Sequence, residues 1–133
     1  MPTHPLAEGI IALRPFVPGR DFELSKRFYS DLGFQVVPLG DKVAAVGIGA
    51  FQFLLQDFFV QEWADNFMMH MLVNNLDQWW ESIAALDLAA RYEVRAPTPP
   101  KLEPWGLRVA YVFDPSGILW HFAEEAEAAT PGS

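Results

Sequence analysis

Three histidines, His4, His70 and His121, and a complete lack of cysteine bound the chemistry this sequence can support. Imidazole shuttles protons near neutral pH and ligates metals as a neutral group. His70 and His121 lie in apolar, β-like stretches and are the candidates, whereas His4 sits in the lead before the first element. Without cysteine, disulfide scaffolds, thiol nucleophiles and thiolate metal sites are excluded together. The sequence has no Ser-His-Asp arrangement in recognisable context, no phosphate-cradling glycine loop and no lysine poised in an apolar strand. The richer resource is aromatic: 11 Phe, 5 Trp and 3 Tyr make up 14% of the chain, and such rings fill cores and wall pockets for flat ligands.

The elements that must position these groups follow from periodicity. At 133 residues and 51% hydrophobic, the chain is expected to form a single domain with a real core. Ile10 to Val17 reads as a strand, with Pro15 marking an edge or a bend. Leu24, Phe28 and Leu32 form a helical stripe widened by Phe22 and Tyr29, with Asp21 placed to cap the start and Gly33 to end it. Three β-like stretches follow, Phe34 to Leu39, Lys42 to Ile48 and Phe51 to Asp57, divided by Gly40-Asp41 and Gly49-Ala50 turns. Phe58 to Asn66 has no clean period and is read as a connecting arm.

The order then repeats, and internal repetition restricts the possible folds. Phe67 to Val73 reads as a strand. Asn75 is placed to cap a helix with Leu76, Trp79, Trp80, Ile83 and Leu86 on its apolar face. A strand is expected near Arg91 to Arg95, then a loop from Ala96 to Gly106 with four prolines and the tetrapeptide Glu103-Pro104-Trp105-Gly106. Leu107 to Phe113 and Ile118 to Ala123 read as strands flanking the turn Asp114-Pro115-Ser116-Gly117. Glu124 to Ser133 is expected to be an acidic, frayed tail.

In this order and at this spacing, Phe28-Tyr29-Ser30-Asp31-Leu32-Gly33-Phe34, Val73-Asn74-Asn75-Leu76-Asp77, and Trp105-Gly106 followed by Asp114-Pro115-Ser116-Gly117 resemble the glyoxalase/bleomycin resistance/dioxygenase superfamily, also called vicinal oxygen chelate proteins. The resemblance spans about Ile10 to Ala123. It implies an α+β fold of two βαβββ modules, about 10–57 and 67–123, curled into a U-shaped cleft, in a homodimer. It also implies an inner face bearing Met68, His70 and Leu72 on one strand and Leu119, His121 and Ala123 on another.

Metal-dependent members of that superfamily place His, Glu or Gln on the first, fourth, fifth and eighth strands. The matching positions here are Ala12, then Phe53 or Leu54, Met68 and His121, of which only His121 is a ligand type; recruiting His70 with Gln52 or Gln56 would still leave the set without a carboxylate. The expectation is therefore a protein with no metal and no cofactor, closest to bleomycin-resistance-type proteins that bind an aromatic antibiotic or similar natural product and leave it unaltered. Ligand contacts are expected from His121, Trp105, His70, Phe53, Tyr111, Arg14, Met68, Phe59 and Trp63, with Phe51 and Phe58 as further rings. The rival expectations are a divalent-metal lyase, isomerase or dioxygenase of the same fold, and a nonenzymatic biosynthetic carrier. A formal charge of −8, from 17 acidic and 9 basic side chains, disfavours nucleic acid and anionic membranes and favours cationic ligands. The lead Met1-Pro2-Thr3-His4-Pro5 lacks a secretion-signal pattern, so a cytoplasmic protein is expected, and the resemblance implies a bacterial one.

Overall fold

The computed structural model describes residues 4–126. After a 3-10 turn at Ala7–Gly9 come β1 (Phe16–Pro18), α1 (Phe22–Leu32), β2 (Gln35–Pro38), β3 (Val43–Ile48) and β4 (Phe51–Gln56). A short helix, α2 (Gln61–Ala64), leads to β5 (Met68–Leu72), α3 (Leu76–Ala85), α4 (Leu88–Tyr92), β6 (Thr98–Leu102), β7 (Leu107–Phe113) and β8 (Leu119–Glu125). The strands form two four-stranded sheets, ordered β1-β4-β3-β2 and β5-β8-β7-β6. In each, the first strand runs parallel to the fourth and the other pairs are antiparallel. This is the α+β architecture of two βαβββ modules. Among the described residues, no helix is long and apolar enough to cross a membrane.

Local chemistry accounts for the helix ends. The Asp21 carboxylate accepts the Leu24 N–H at 3.1 Å, satisfying one of the donors a helix start leaves free. Gly33 ends α1 at φ +110, a left-handed conformation, and its N–H returns to the Ser30 and Tyr29 carbonyls. At the start of α3, Asn75 holds the capping position but its side chain makes no capping bond. The donor goes instead across the fold: the Leu76 N–H bonds Glu124 Oε1 on β8 at 3.0 Å.

Four sequence expectations need correction. The strand expected over Ile10 to Val17 is confined to Phe16–Pro18; its ladder begins where the Leu54 N–H meets the Pro15 carbonyl at 2.9 Å. Upstream, Ile10, Ile11 and Leu13 are 68%, 96% and 93% exposed, so the apolar run has nothing to cover within its own chain. No strand occupies Arg91 to Arg95. Leu88, 1% exposed, and Tyr92, edge-on to Phe28 with ring centres 5.3 Å apart, pin that stretch as the short helix α4 instead. The proline-bearing segment expected to be a loop supplies β6, which tolerates Pro99 and Pro100 because it is an outer strand with an irregular register. Glu124 and Glu125 belong to β8 and not to a tail; the rest of the expected tail, from position 127 onward, falls outside the described residues.

Helices and both sheets share one hydrophobic cluster. At its centre Tyr29, Phe34, Phe53 and Trp120 meet at ring separations of 5.1 to 6.2 Å. A buried hydrogen-bond chain runs through these rings. Trp120 Nε1 donates to the Tyr29 hydroxyl at 2.9 Å, which donates to Asp114 Oδ2 at 2.6 Å. Asp114 Oδ1 accepts the N–H groups of Ser116 and Ile118 at 2.8 and 2.9 Å. Ser116 Oγ in turn accepts the Arg20 N–H at 2.8 Å, tying the turn before β8 to the first module.

Asp114 is 1% exposed. Burial pushes its carboxyl up to about 6, against the hydrogen bonds from Tyr29 and the turn amides that pull it down. The folded state thus holds this proton more tightly than the unfolded chain. Asp114 adds stability in full below its ordinary value of 3.8, and that contribution disappears as pH rises through about 6. Urea unfolding across this window is expected to show Asp114→Asn losing that part of the pH slope. Tyr29→Phe, which strands Asp114 Oδ2 and the Trp120 N–H, is expected to cost about 1–3 kcal/mol at neutral pH.

Candidate functional site

Strand register builds one polar row across the second sheet. His70 lies opposite His121, His121 opposite Tyr111, and Tyr111 opposite Thr98. Directly paired residues share a face, so these four side chains cross β5, β8, β7 and β6 on one surface. The imidazole centres of His70 and His121 are 6.0 Å apart, and Tyr111 meets His121 edge-on at 4.9 Å. Met69, Met71 and Val73 turn the other way and pack against the core. Met68 pairs with Leu119 and Leu72 with Ala123, flanking the row on the same face.

Glu103 joins this row through the Tyr111 hydroxyl, which donates to its carboxylate. Burial, then Glu103, pushes the phenol up to about 12, so Tyr111 is a neutral donor near neutral pH. Glu103 is held by the Glu103-Pro104-Trp105-Gly106 turn: its N–H bonds the Leu107 carbonyl, and the Gly106 N–H bonds its own carbonyl at 3.0 Å. Gly106 sits at φ +95, a conformation that favours glycine. Trp105 is 60% exposed at the tip of this β6–β7 hairpin. Sequence reasoning missed Glu103; its only signal was its place at the head of the tight turn entering β7.

Burial lowers the His121 pKa below 6.5; His70 lowers it further and Glu103 opposes both. His121 is therefore a neutral imidazole at pH 7, with one donor and one acceptor. Among the described residues, neither the His70 nor the His121 imidazole hydrogen-bonds to protein. The row lies on an open sheet face; His70, at its end, also lines a crevice of about 470 Å³ between the start of β4 and β5, and a second hollow, of about 510 Å³, lies beside Leu72, Asn74, Asn75 and Glu124.

The first sheet carries the corresponding row, Phe16 opposite Leu54, Leu54 opposite Ala45, and Ala45 opposite Val37. Ala12 lies upstream of β1 and on no strand. Of Phe53 and Leu54, Leu54 is the one on this face, and on β5 Met68 and His70 share the face that carries His121. Phe53 faces inward, 2% exposed in the central ring cluster, because residues alternate faces along a strand. Arg14 lies on no strand. Phe59 is half-buried beneath the Arg20 guanidinium, 5.4 Å from its ring centre. Trp63 is 68% exposed on α2, beside Phe58.

A catalytic metal needs about three protein donors. Phe16 and Leu54 cannot ligate, and among the described residues no group of three or more His, Cys, Asp or Glu is arranged to hold an ion. His70 and His121 alone do not fit a resident catalytic metal.

The Glyoxalase/Bleomycin resistance protein/Dioxygenase superfamily model matches residues 11–122. The chain belongs to this superfamily. Solved structures similar to this superfamily member include a bleomycin-binding protein complexed with bleomycin, at TM-score 0.73 and 20% identity over 87% of this chain and 99% of the other. Another is the bleomycin-binding protein from bleomycin-producing Streptomyces verticillus complexed with copper(II)-bleomycin, at TM-score 0.70 and 28% identity over 89% and 97%. Lactoylglutathione lyase from Agrobacterium tumefaciens is similar at TM-score 0.62 and 17% identity over 86% and 94%. No curated protein sequence matches significantly.

The electrostatics of the row are open to direct measurement. In an NMR titration, the His121 ring is expected to show a midpoint below 6.5. Its causes predict opposite responses: His70→Ala raises the midpoint, and Glu103→Gln lowers it further.

Proposed function

We propose that this superfamily member binds a planar aromatic natural product of the bleomycin type reversibly, as a cytoplasmic sequestering protein without a resident metal. The observation that carries the reading is the His70–His121–Tyr111 row, which offers hydrogen-bonding groups beside apolar Met68, Leu119 and Leu72 and lacks a chelating set. Trp105, exposed at the adjoining hairpin tip, supplies a face for stacking and an N–H donor. The likeness to two bleomycin-binding proteins supports the ligand class. Micromolar to nanomolar affinity corresponds to about −8 to −12 kcal/mol, which a few stacked rings and oriented polar contacts supply once ordering costs are met.

A second reading, a divalent-metal lyase, isomerase or dioxygenase, draws on the adjacent imidazoles and on the likeness to lactoylglutathione lyase. Calorimetric titration with metal-free bleomycin, beside elemental analysis of protein purified without added metal, separates the two. Saturable binding by metal-free protein is the expected result. Stoichiometric retained metal that is lost with His121→Ala would overturn the proposal, as would absence of heat and of thermal stabilisation with bleomycin.

Within the binding reading, Trp105→Ala is expected to weaken affinity by about 1–3 kcal/mol while leaving the unfolding midpoint in place. Unchanged affinity removes Trp105 from the site.

A further inference from the structure

Among the described residues four cations lie over aromatic rings, and their remaining contacts separate one from the rest. Lys26, over Phe22, is ion-paired with Glu23, and Arg91, over Tyr92, is ion-paired with Asp31. Arg20, over Phe59, donates to the Pro115 carbonyl. Arg95 lies 4.6 Å from the Phe113 ring centre and, among the described residues, has neither an ion pair nor a side-chain hydrogen bond. Attraction to a ring face uses none of the five N–H donors of a guanidinium, so this fork is uncommitted.

Local structure aims Arg95 at the proposed binding face. The chain leaves α4 through Glu93, at φ +55, a left-handed conformation disfavoured for a residue with a side chain. Val94 then packs against the core and Arg95 stands exposed. Phe113 alternates with buried Val112 and so shares the face of Tyr111, two residues away, a separation of about 7 Å along the strand. Through Leu119 it joins Met68, forming an apolar row beside Tyr111–His121–His70. Arg95 precedes β6 and Glu103 follows it, so two opposite charges border the face from either end of that strand.

We propose that Arg95 is a specificity-determining residue of this face, its guanidinium receiving the carbonyl oxygen of a carboxamide conjugated to the ligand's flat ring. This deepens the binding reading above and rests on the face being a ligand site. Phe113 raises the guanidinium above the side-chain layer, to the level of a flat molecule laid on Leu119 and Met68. A carboxamide coplanar with its ring keeps its oxygen in the ring plane, so it meets the fork edge-on, where parallel N–H groups share one acceptor. The carboxamide is favoured over a carboxylate because its oxygen carries no full charge against the net −8 of the chain. At the opposite margin the Glu103 carboxylate favours a ligand N–H.

NMR and calorimetry test the assignment with two kinds of probe. Benzamide at millimolar concentration is expected to move the Arg95 side-chain N–H resonance, identified by its absence in Arg95→Gln, whereas aniline, flat but lacking a carbonyl, leaves it in place. With metal-free bleomycin, Arg95→Gln is expected to weaken binding about tenfold to a hundredfold, the range for a hydrogen bond to a charged group. Arg95→Lys keeps the charge and loses the planar fork, so it is expected to recover little of that affinity. Both variants are expected to keep the wild-type circular dichroism and unfolding midpoint, because Arg95 is exposed. An unmoved Arg95 resonance with benzamide, an equal response to aniline, or full bleomycin affinity in either variant overturns the assignment. Benzamide engaging Arg95 in a wild type that fails to bind bleomycin removes the bleomycin-type ligand and leaves the acceptor site standing.

Discussion

The placement of every outward-facing group on β8 depends on one buried carboxylate. Asp114 closes the turn before the strand by accepting the Ser116 and Ile118 amides, and it receives the Tyr29 hydroxyl from the first module. Tyr29 also accepts from Trp120, the residue immediately before His121. A strand alternates its faces, so fixing Trp120 in the core fixes His121 on the opposite surface. A one-residue slip would bury the imidazole, expel the indole and break the hydrogen-bond chain at once. Retaining a carboxylate at 1% exposure is costly without partners, and here the partners define the register of the strand that carries the proposed site.

The two modules use the same topology for different surfaces. Phe16, Leu54, Ala45 and Val37 occupy in the first sheet the places that His70, His121, Tyr111 and Thr98 occupy in the second. The strand pairing of each sheet is retained while the outward side chains change from apolar to hydrogen-bonding. An identical backbone arrangement therefore says nothing about chemistry by itself, which has to be read from each row. On that reading, the fold shared with a lyase does not bring chelating side chains with it: the first sheet's outward row presents Phe16 and Leu54 where the second presents His70 and His121.

Most of the architecture was legible because it rests on local signals. Asp21 and Gly33 mark α1 through cap chemistry that acts within a few residues, and Gly40-Asp41 and Gly49-Ala50 separate β2, β3 and β4 at the expected turns. The misreadings occur where the deciding partner is remote or absent. Ile10 to Leu13 has the composition of a buried strand, and composition does not distinguish a strand paired in its own chain from a segment left exposed. Arg91 to Arg95 is short, and the neighbouring helix is fixed by Phe28 and Asp31, some sixty residues earlier. The choice between Phe53 and Leu54 is a one-residue register question that only the pairing with Phe16 answers. Asn75 has the right residue type for a cap, yet a carboxylate from β8 takes the Leu76 amide. Glu103 had no periodic signal because its role comes from a turn folding it back over Tyr111.

For the proposed ligand, long-range and local electrostatics point the same way. The net charge of −8 attracts cations over roughly a Debye length, about 8 Å at physiological salt. At contact range the row offers both donors and acceptors: Tyr111 spends its proton on Glu103, and neutral His121 keeps one N–H and one unprotonated ring nitrogen. Glu103, meanwhile, has a further oxygen with acceptor capacity. A surface of mixed donors and acceptors, bordered by methionine and leucine and overlooked by an exposed indole, suits the flat molecule proposed above, with polar groups at its margin. An anionic ligand would meet repulsion at a distance from the net charge and at contact from the Glu103 carboxylate, so charge complementarity favours a neutral or cationic molecule for the proposed binding face.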